Sequence, residues 1–491
     1  MSPLFSESNQ TPNAPSSSDS HTVRALSGEN PASKPGNWAA LLGQSDIPVL
    51  RSTVEALARL RQNQDNVVAR DISRVILGDP MLTLRLLRHL QEHRKDSQET
   101  EITTVEHAVM MLGITPFFKR FQDMNVVEEV LGGHPHALAG FMAVVDRARH
   151  AALHARDWAA LRHDFESDEV VIAALLHDIA EMLLWCKAPE CAIRLSETMR
   201  QDRTLRSAAA QEAVLGFRLI DFQLALVDNW HLPALLRSLM DDYHANPPRA
   251  RTVALAVALS RHSANGWDDA ALPDDYAAIQ KLLAVPQHEV MERIRRAALR
   301  AIRERVWHDS LQPAAALLPF FPADSTGAAS DADMDSAVLR AEVLKCVTAQ
   351  PVARSSHNPD FLELLVLIFH EMRVGLGLKR LLFMEISIER RQAAAKYILG
   401  SVESLPLQNW RFDLDRPHVF SRIMGEGGGV WGSAAASDKS SSCLPEAIQQ
   451  VIGNNEFFAM AIPMNGTPAG LIYADGGQKR LILDAVAYAE F

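Results

Sequence analysis

The side chains best placed to do chemistry in this chain are His177 and Asp178, adjacent in the run Leu175-Leu-His-Asp-Ile179. An imidazole nitrogen and a carboxylate oxygen can each ligate a divalent cation or move a proton. Side by side on a helix they would diverge by about 100°. Two ligands also leave a four- to six-coordinate ion unsatisfied. His150 and His154 are the nearest upstream candidates, one helical turn apart and so on one face.

Other patterns carry weaker chemistry. Gly425-Glu-Gly-Gly-Gly-Val-Trp-Gly432 is rich in glycine but lacks the closing Gly-Lys-Ser/Thr of a phosphate-binding loop, so it reads as a flexible loop. Val290–Trp307 places Met291, Ile294, Ala298, Ile302 and Val306 on one face, with six arginines crowding the rest. In so acidic a chain that helix is expected to be solvated or to dock against another part of the protein. Phe117, Phe118, Phe121 and Trp158 are read as core. The four cysteines form no C-x-x-C pair, which removes the usual zinc-ribbon and redox patterns.

The elements that must position these residues are legible from periodicity. Residues 1–36, rich in Ser, Pro and Asn, read as a disordered tail. From Trp38 to His308 the apolar spacing is helical almost throughout. At Gly78-Asp79-Pro80 a new helix starts, with Asp79 as cap, Pro80 in the first turn and Leu82, Leu86, Leu87 and Leu90 as the buried stripe. Residues 321–335 are small and acidic and read as a linker. Beyond it, helices are expected at 337–348, 360–374 and 445–452, and strands at 379–388, 393–399, 457–464 and 469–473. Asn465-Gly466 supplies a hairpin signal between the last two. The expected sheet has helices on one side and a free face for a pocket.

The 491 residues exceed one ordinary core, and 47% hydrophobic with 22% charged is globular composition. A formal net charge of -11 disfavours non-specific binding to nucleic acid. The longest apolar runs fall short of the roughly 20 residues that span a bilayer, and the N-terminus shows no secretory pattern. A cytoplasmic location without membrane contact is expected.

Five segments in order resemble the HDOD family, a helical relative of the HD phosphohydrolases. They are Ile76–Arg88, Thr104–Ile114, Leu175–Ile179, Glu212–Gly216 and Trp230–Pro233, and the resemblance covers roughly residues 45–245. More weakly, 336–491 resembles a GAF-type sensory domain, most clearly at Gly470-Leu-Ile-Tyr-Ala-Asp475. The fold implied is multidomain: an all-helical HDOD-like domain over 37–320, then a smaller α+β GAF-like domain.

The resemblance also states what catalysis would need. An HD phosphohydrolase closes its metal site with an upstream His, for which His150 or His154 stands, and a distant Asp. That Asp should come from the helix near Thr252–His262, which reads TVALAVALSRH and holds no carboxylate. Leu219 stands where metal-dependent relatives tend to have a His, and Glu181 where they often have a Lys. His177 and Asp178 are therefore expected to be a vestigial pair, with Asp178 paired to Arg147 or Arg149 and His177 a satisfied core residue. No catalytic residue, metal or cofactor is expected. The implied function is a regulatory module with a protein partner and a small ligand at the GAF-like domain. The alternative is a metal-dependent phosphohydrolase of a nucleotide or cyclic dinucleotide.

Overall fold

The computed structural model describes residues 34–44, 46–93, 104–164, 167–202, 205–304, 316–319, 359–387, 391–433, 444, 451–452, 456–464 and 467–477. The expected disordered tail lies almost wholly outside these residues; so do the linker, the helix at 337–348, most of that at 445–452 and the Asn465-Gly466 turn.

Between Pro35 and Glu304 the described chain is helices and turns. Eight of the helices build the surroundings of the site: α1 (Arg51–Gln62), α2 (Ala69–Ile76), α3 (Pro80–Glu92), α4 (Pro135–Leu161), α5 (Ser167–Leu176), α6 (Ile179–Lys187), α7 (Pro248–Ser263) and α8 (Gln287–Glu304). The start of α3 is fixed as its residues dictate. Fully buried Asp79 accepts from the Met81 and Leu82 amides at 2.8 and 3.2 Å, and its other oxygen accepts from the Leu50 amide at 2.9 Å. One carboxylate thus caps the helix and ties down the chain leading into α1.

The 27-residue α4 is the axis of this region. Its buried alanines at 137, 148, 151, 155 and 159 let α5, α6, α7 and α8 pack closely around it. Gly140 is required there, because a Cβ would run into the Trp185 ring of α6.

The C-terminal part contains α9 (Pro359–Leu376) and α10 (Val419–Glu426) with strands β1 (Ala316–Leu318), β2 (Arg380–Ser387), β3 (Gln392–Leu399), β4 (Arg411–Asp413), β5 (Gly429–Ser433), β6 (Glu456–Met464) and β7 (Thr467–Asp475). The order is β1-β3-β2-β7-β6-β5, with β4 also on β3. Every pairing is antiparallel except β1 on β3, so the sheet is mixed.

Period-2 alternation sends Leu381 and Phe383 to one face, against Leu362, Leu365 and Phe369 of α9, in the same core that runs through the helical region. Leu382 and Met384 go to the other face, a second core with Phe412, Phe420, Phe457 and Tyr473. The expected free face is therefore filled. The glycine-rich run is not a loop either: Gly425 and Glu426 end α10, and Gly429–Gly432 pair with Met460–Phe457 as β5. Gly427 and Gly428 take positive φ (76° and 84°) to make the turn between them.

The two parts meet directly. Arg303 of α8 pairs with Glu363 of α9 at 3.0 Å, and the Trp267 amide donates to the Gly400 carbonyl. A Cβ at Gly400 would strike the Trp267 ring and the Leu318 carbonyl, so glycine is what the junction admits. The other arginines of α8 pair mainly within the helix: Arg295 and Arg296 with Glu292, Arg300 with Glu304, and Arg293 with Glu289 and with Asp157 of α4. Among the described residues, no helix is long and apolar enough to cross a membrane.

Candidate functional site

Helix α5 stops at Leu176 and α6 begins at Ile179, so His177 and Asp178 occupy the two-residue joint between them. They are not neighbours on one continuous helix, as the sequence suggested. The joint is held by buried Gln223, whose Oε1 accepts from the Ala180 amide and whose Nε2 donates to the Leu176 carbonyl, both at 2.9 Å. That one side chain replaces the helix hydrogen bonds lost at the break.

The His177 ring is almost fully buried and both its nitrogens are engaged. Nδ1 lies 3.2 Å from Asp178 Oδ1, and Nε2 lies 3.0 Å from Asp242 Oδ1. Asp178 Oδ1 also accepts from the Arg261 guanidinium at 3.2 Å. The pairing expected with Arg147 or Arg149 does not occur. Arg147 bonds Glu181 at 2.8 Å, and Arg149 donates to the Gly78 carbonyl at 2.6 Å. Arg261, in the last turn of α7, takes that place.

The charges follow from this geometry. Burial alone would lower the His177 pKa, but hydrogen bonds and attraction from Asp178 and Asp242 prevail and raise it to about 9. Burial would likewise raise that of Asp178, yet Arg261 and His177 hold it far below the usual carboxylate range. Asp242 is also lowered, against its own desolvation, chiefly by its hydrogen bond to His177. At neutral pH the joint is an alternating set of two anions and two cations. Glu181, which stands where metal-dependent relatives often have a Lys, is paired with Arg147.

This donor set does not fit a catalytic metal. Both His177 nitrogens already face carboxylate oxygens, at 3.2 and 3.0 Å, which leaves neither turned toward a shared ion. The helix that should supply the distal carboxylate supplies Arg261, a charge of the wrong sign. Asp242 meets the ring on its far nitrogen, so among the described residues no three donor atoms that include this pair lie mutually within 4.8 Å.

His150 and His154 are not brought to the pair. They face each other on α4, Nε2 to Nε2 at 2.9 Å, and His154 is fully buried against Trp158. Burial lowers the His150 pKa to about 4, and burial together with His150 holds His154 well below its usual value. Both are neutral imidazoles at pH 7. His154 Nδ1 has no hydrogen-bond partner. The tautomer that leaves a lone pair bare, instead of an N–H, has His154 donating to His150.

A group that sequence reasoning passed over is His89, Glu92 and His93 near the end of α3, whose donor atoms lie within 4.8 Å of one another. Arg120 approaches His89 Nδ1 at 3.4 Å, His93 Nδ1 faces the His89 carbonyl and Glu92 accepts from Arg88 at 2.8 Å, so all three already have neighbours. Asp242, Arg261 and Gln223 were also missed. Arg261 stood within the stretch searched for a carboxylate; looking for a counter-charge there, and not only for a ligand, would have found it.

Comparison with known proteins agrees with the helical region. Residues 47–247 match the HDOD domain family, and the chain carries an HDOD domain over that stretch. It is similar to the MmoQ response regulator of Methylococcus capsulatus str. Bath at 18% identity and TM-score 0.39, over 51% of this chain and 99% of that one. It is similar to a virulence factor of Campylobacter jejuni subsp. jejuni at 15% identity and TM-score 0.43, over 56% and 100%. An HDOD domain protein of Geobacter sulfurreducens, of unknown function, gives 16% identity and TM-score 0.31 over 54% and 94%. No curated protein matches.

Proposed function

We propose, with an HDOD domain at residues 47–247 as the premise, that this protein is a non-catalytic regulatory protein. In this reading the helical HDOD part is a scaffold that presents a surface to a protein partner in the cytoplasm, and the C-terminal α+β part is its GAF-like sensory companion. The observation that carries it is the His177 ring held between Asp178 and Asp242, with Arg261 in place of a distal carboxylate. That arrangement satisfies its own charges and leaves no vacancy for an ion. The sheet with a helix on each face supports the GAF-like reading of the C-terminal part, and the shared core gives the two parts a route of communication.

The test is elemental analysis of protein expressed in manganese-, iron- and zinc-replete medium, with hydrolysis of bis-p-nitrophenyl phosphate assayed alongside. The expected result is no activity, and no metal that depends on His177. One equivalent of metal, lost together with phosphodiesterase activity in His177→Ala/Asp178→Ala, would overturn the proposal in favour of a metal-dependent phosphohydrolase.

A further inference from the structure

A cavity of about 990 Å³ opens between α1, α2, α4, α7 and α8, and Leu317 of β1 and Gln408 of the C-terminal part close one wall. It does not include His177 or Asp178. Seven arginines and four carboxylates line it, in a chain whose formal net charge is -11. A cationic surplus is therefore concentrated here against the trend of the whole molecule.

The arginines differ in how they are employed. Arg147 and Arg300 are occupied by Glu181 and Glu304 at 2.8 and 2.7 Å. Among the described residues, Arg59 and Arg156 make neither an ion pair nor a side-chain hydrogen bond, and Arg149 bonds a backbone carbonyl. On α4, Asp146, Arg149, His150, Leu153 and Arg156 follow helical spacing, so one continuous face of the helix lines the cavity. Across from it on α7, Ser260 is 2% exposed and its hydroxyl finds no hydrogen-bond partner among the described residues. A buried, unmet hydroxyl on the wall of a cationic cavity is a group waiting for an acceptor or donor. The wall between these polar groups is small or apolar, as at Ala143, Ala152 and Ile172. The volume lies at the upper end of the roughly 300–1,000 Å³ of small-molecule sites.

We propose that this cavity binds a phosphate-bearing organic anion of nucleotide size. Guanidinium forks match phosphate oxygens in pairs, and unpaired arginines give that contact without first breaking an internal ion pair. The apolar wall suits the uncharged ring of such a molecule. Because Leu317 and Gln408 belong to the sheet-bearing part, the ligand would touch both parts, and its affinity would be linked to how they dock. The site stands whether or not the regulatory reading holds, since its readout is binding alone.

The experiment is titration calorimetry of the full chain with inorganic pyrophosphate, ATP and adenosine, without divalent metal, at 50 and 300 mM KCl. ATP should bind more tightly than pyrophosphate, adenosine should give no heat, and the ATP affinity should fall at least tenfold across that salt range. Arg59→Gln/Arg156→Gln should weaken ATP at least tenfold, and these changes remove no internal bond. Arg194→Gln/Arg200→Gln, a charge-matched change on exposed residues outside the cavity, should leave affinity within twofold. The proposal fails if neither anion binds, if adenosine binds as well as ATP, if affinity ignores salt, or if both double variants weaken ATP equally.

Discussion

The molecule holds two pairs of buried histidine contacts that sequence alone could not tell apart. His177 is bonded to two carboxylates and carries a proton up to about pH 9; His150 and His154 bond each other and pack on Trp267 and Trp158, with no carboxylate hydrogen-bonded to either among the described residues, and His150 stays neutral down to about pH 4. Burial is severe at both places. What separates them is whether a counter-ion was buried too. Desolvation sets the cost of a charge, and only a partner with the opposite sign decides which way the proton goes.

The comparison is broken most forcefully at Asp178. Asp178→Ala leaves a buried imidazolium and removes the anion that Arg261 faces, so a loss of about 3–5 kcal/mol is expected in urea denaturation. A loss below about 1 kcal/mol would mean the joint is not held by charge.

The pH dependence sharpens the same contrast through its sign. His177 has a folded pKa above its unfolded value near 6.5, so its contribution is fully present below about pH 6.5 and is lost as pH rises toward 9. By the shift it is worth at most about 3 kcal/mol. His150 and His154 have folded values below 6.5, so their contribution is present above that pH and is lost on acidification toward 4. Wild-type stability should therefore fall on both sides of neutrality. Asp178→Ala should flatten the alkaline side and leave the acid side, measured as urea midpoints from pH 5 to 9.

Asp242 is the wetter partner, with 43% of its side chain exposed. Asp242→Asn should cost about 1 kcal/mol, since solvent screens it and an amide can still meet His177. It should also lower the His177 pKa, visible by NMR titration of the ring. The smallest effect belongs to the neutral pair. His154→Leu exchanges a half-satisfied imidazole for an apolar side chain of similar volume, and a change within about 1 kcal/mol is expected. A loss as large as that of Asp178→Ala would erase the distinction between the two regions.

How much of this was legible beforehand follows the range of each interaction. The cap at Asp79, the stripe of α3 and strands β2, β3, β6 and β7 are written in local spacing, and they lie close to where periodicity placed them. The HDOD domain was visible because five short motifs recur in order. The distant partners of the pair were not, because Arg261 is 83 residues from Asp178 and Asp242 is 65 from His177, and no local pattern encodes which distant charge arrives. The glycine run failed for the opposite reason: Gly429–Gly432 has poor strand propensity and is a strand only because β6 offers it an edge.

Three residues of β1 carry a last consequence. They precede α9 and its sheet in sequence by some forty residues, yet they lie parallel on β3 and cover its outer edge. That edge would otherwise show bare amides and carbonyls to any passing strand. A backbone nick anywhere between 319 and 358 would leave the covering strand attached to the helical fragment and the covered strand on the other. Each piece would then carry one side of the β1–β3 pairing and expose the backbone groups that the other covered.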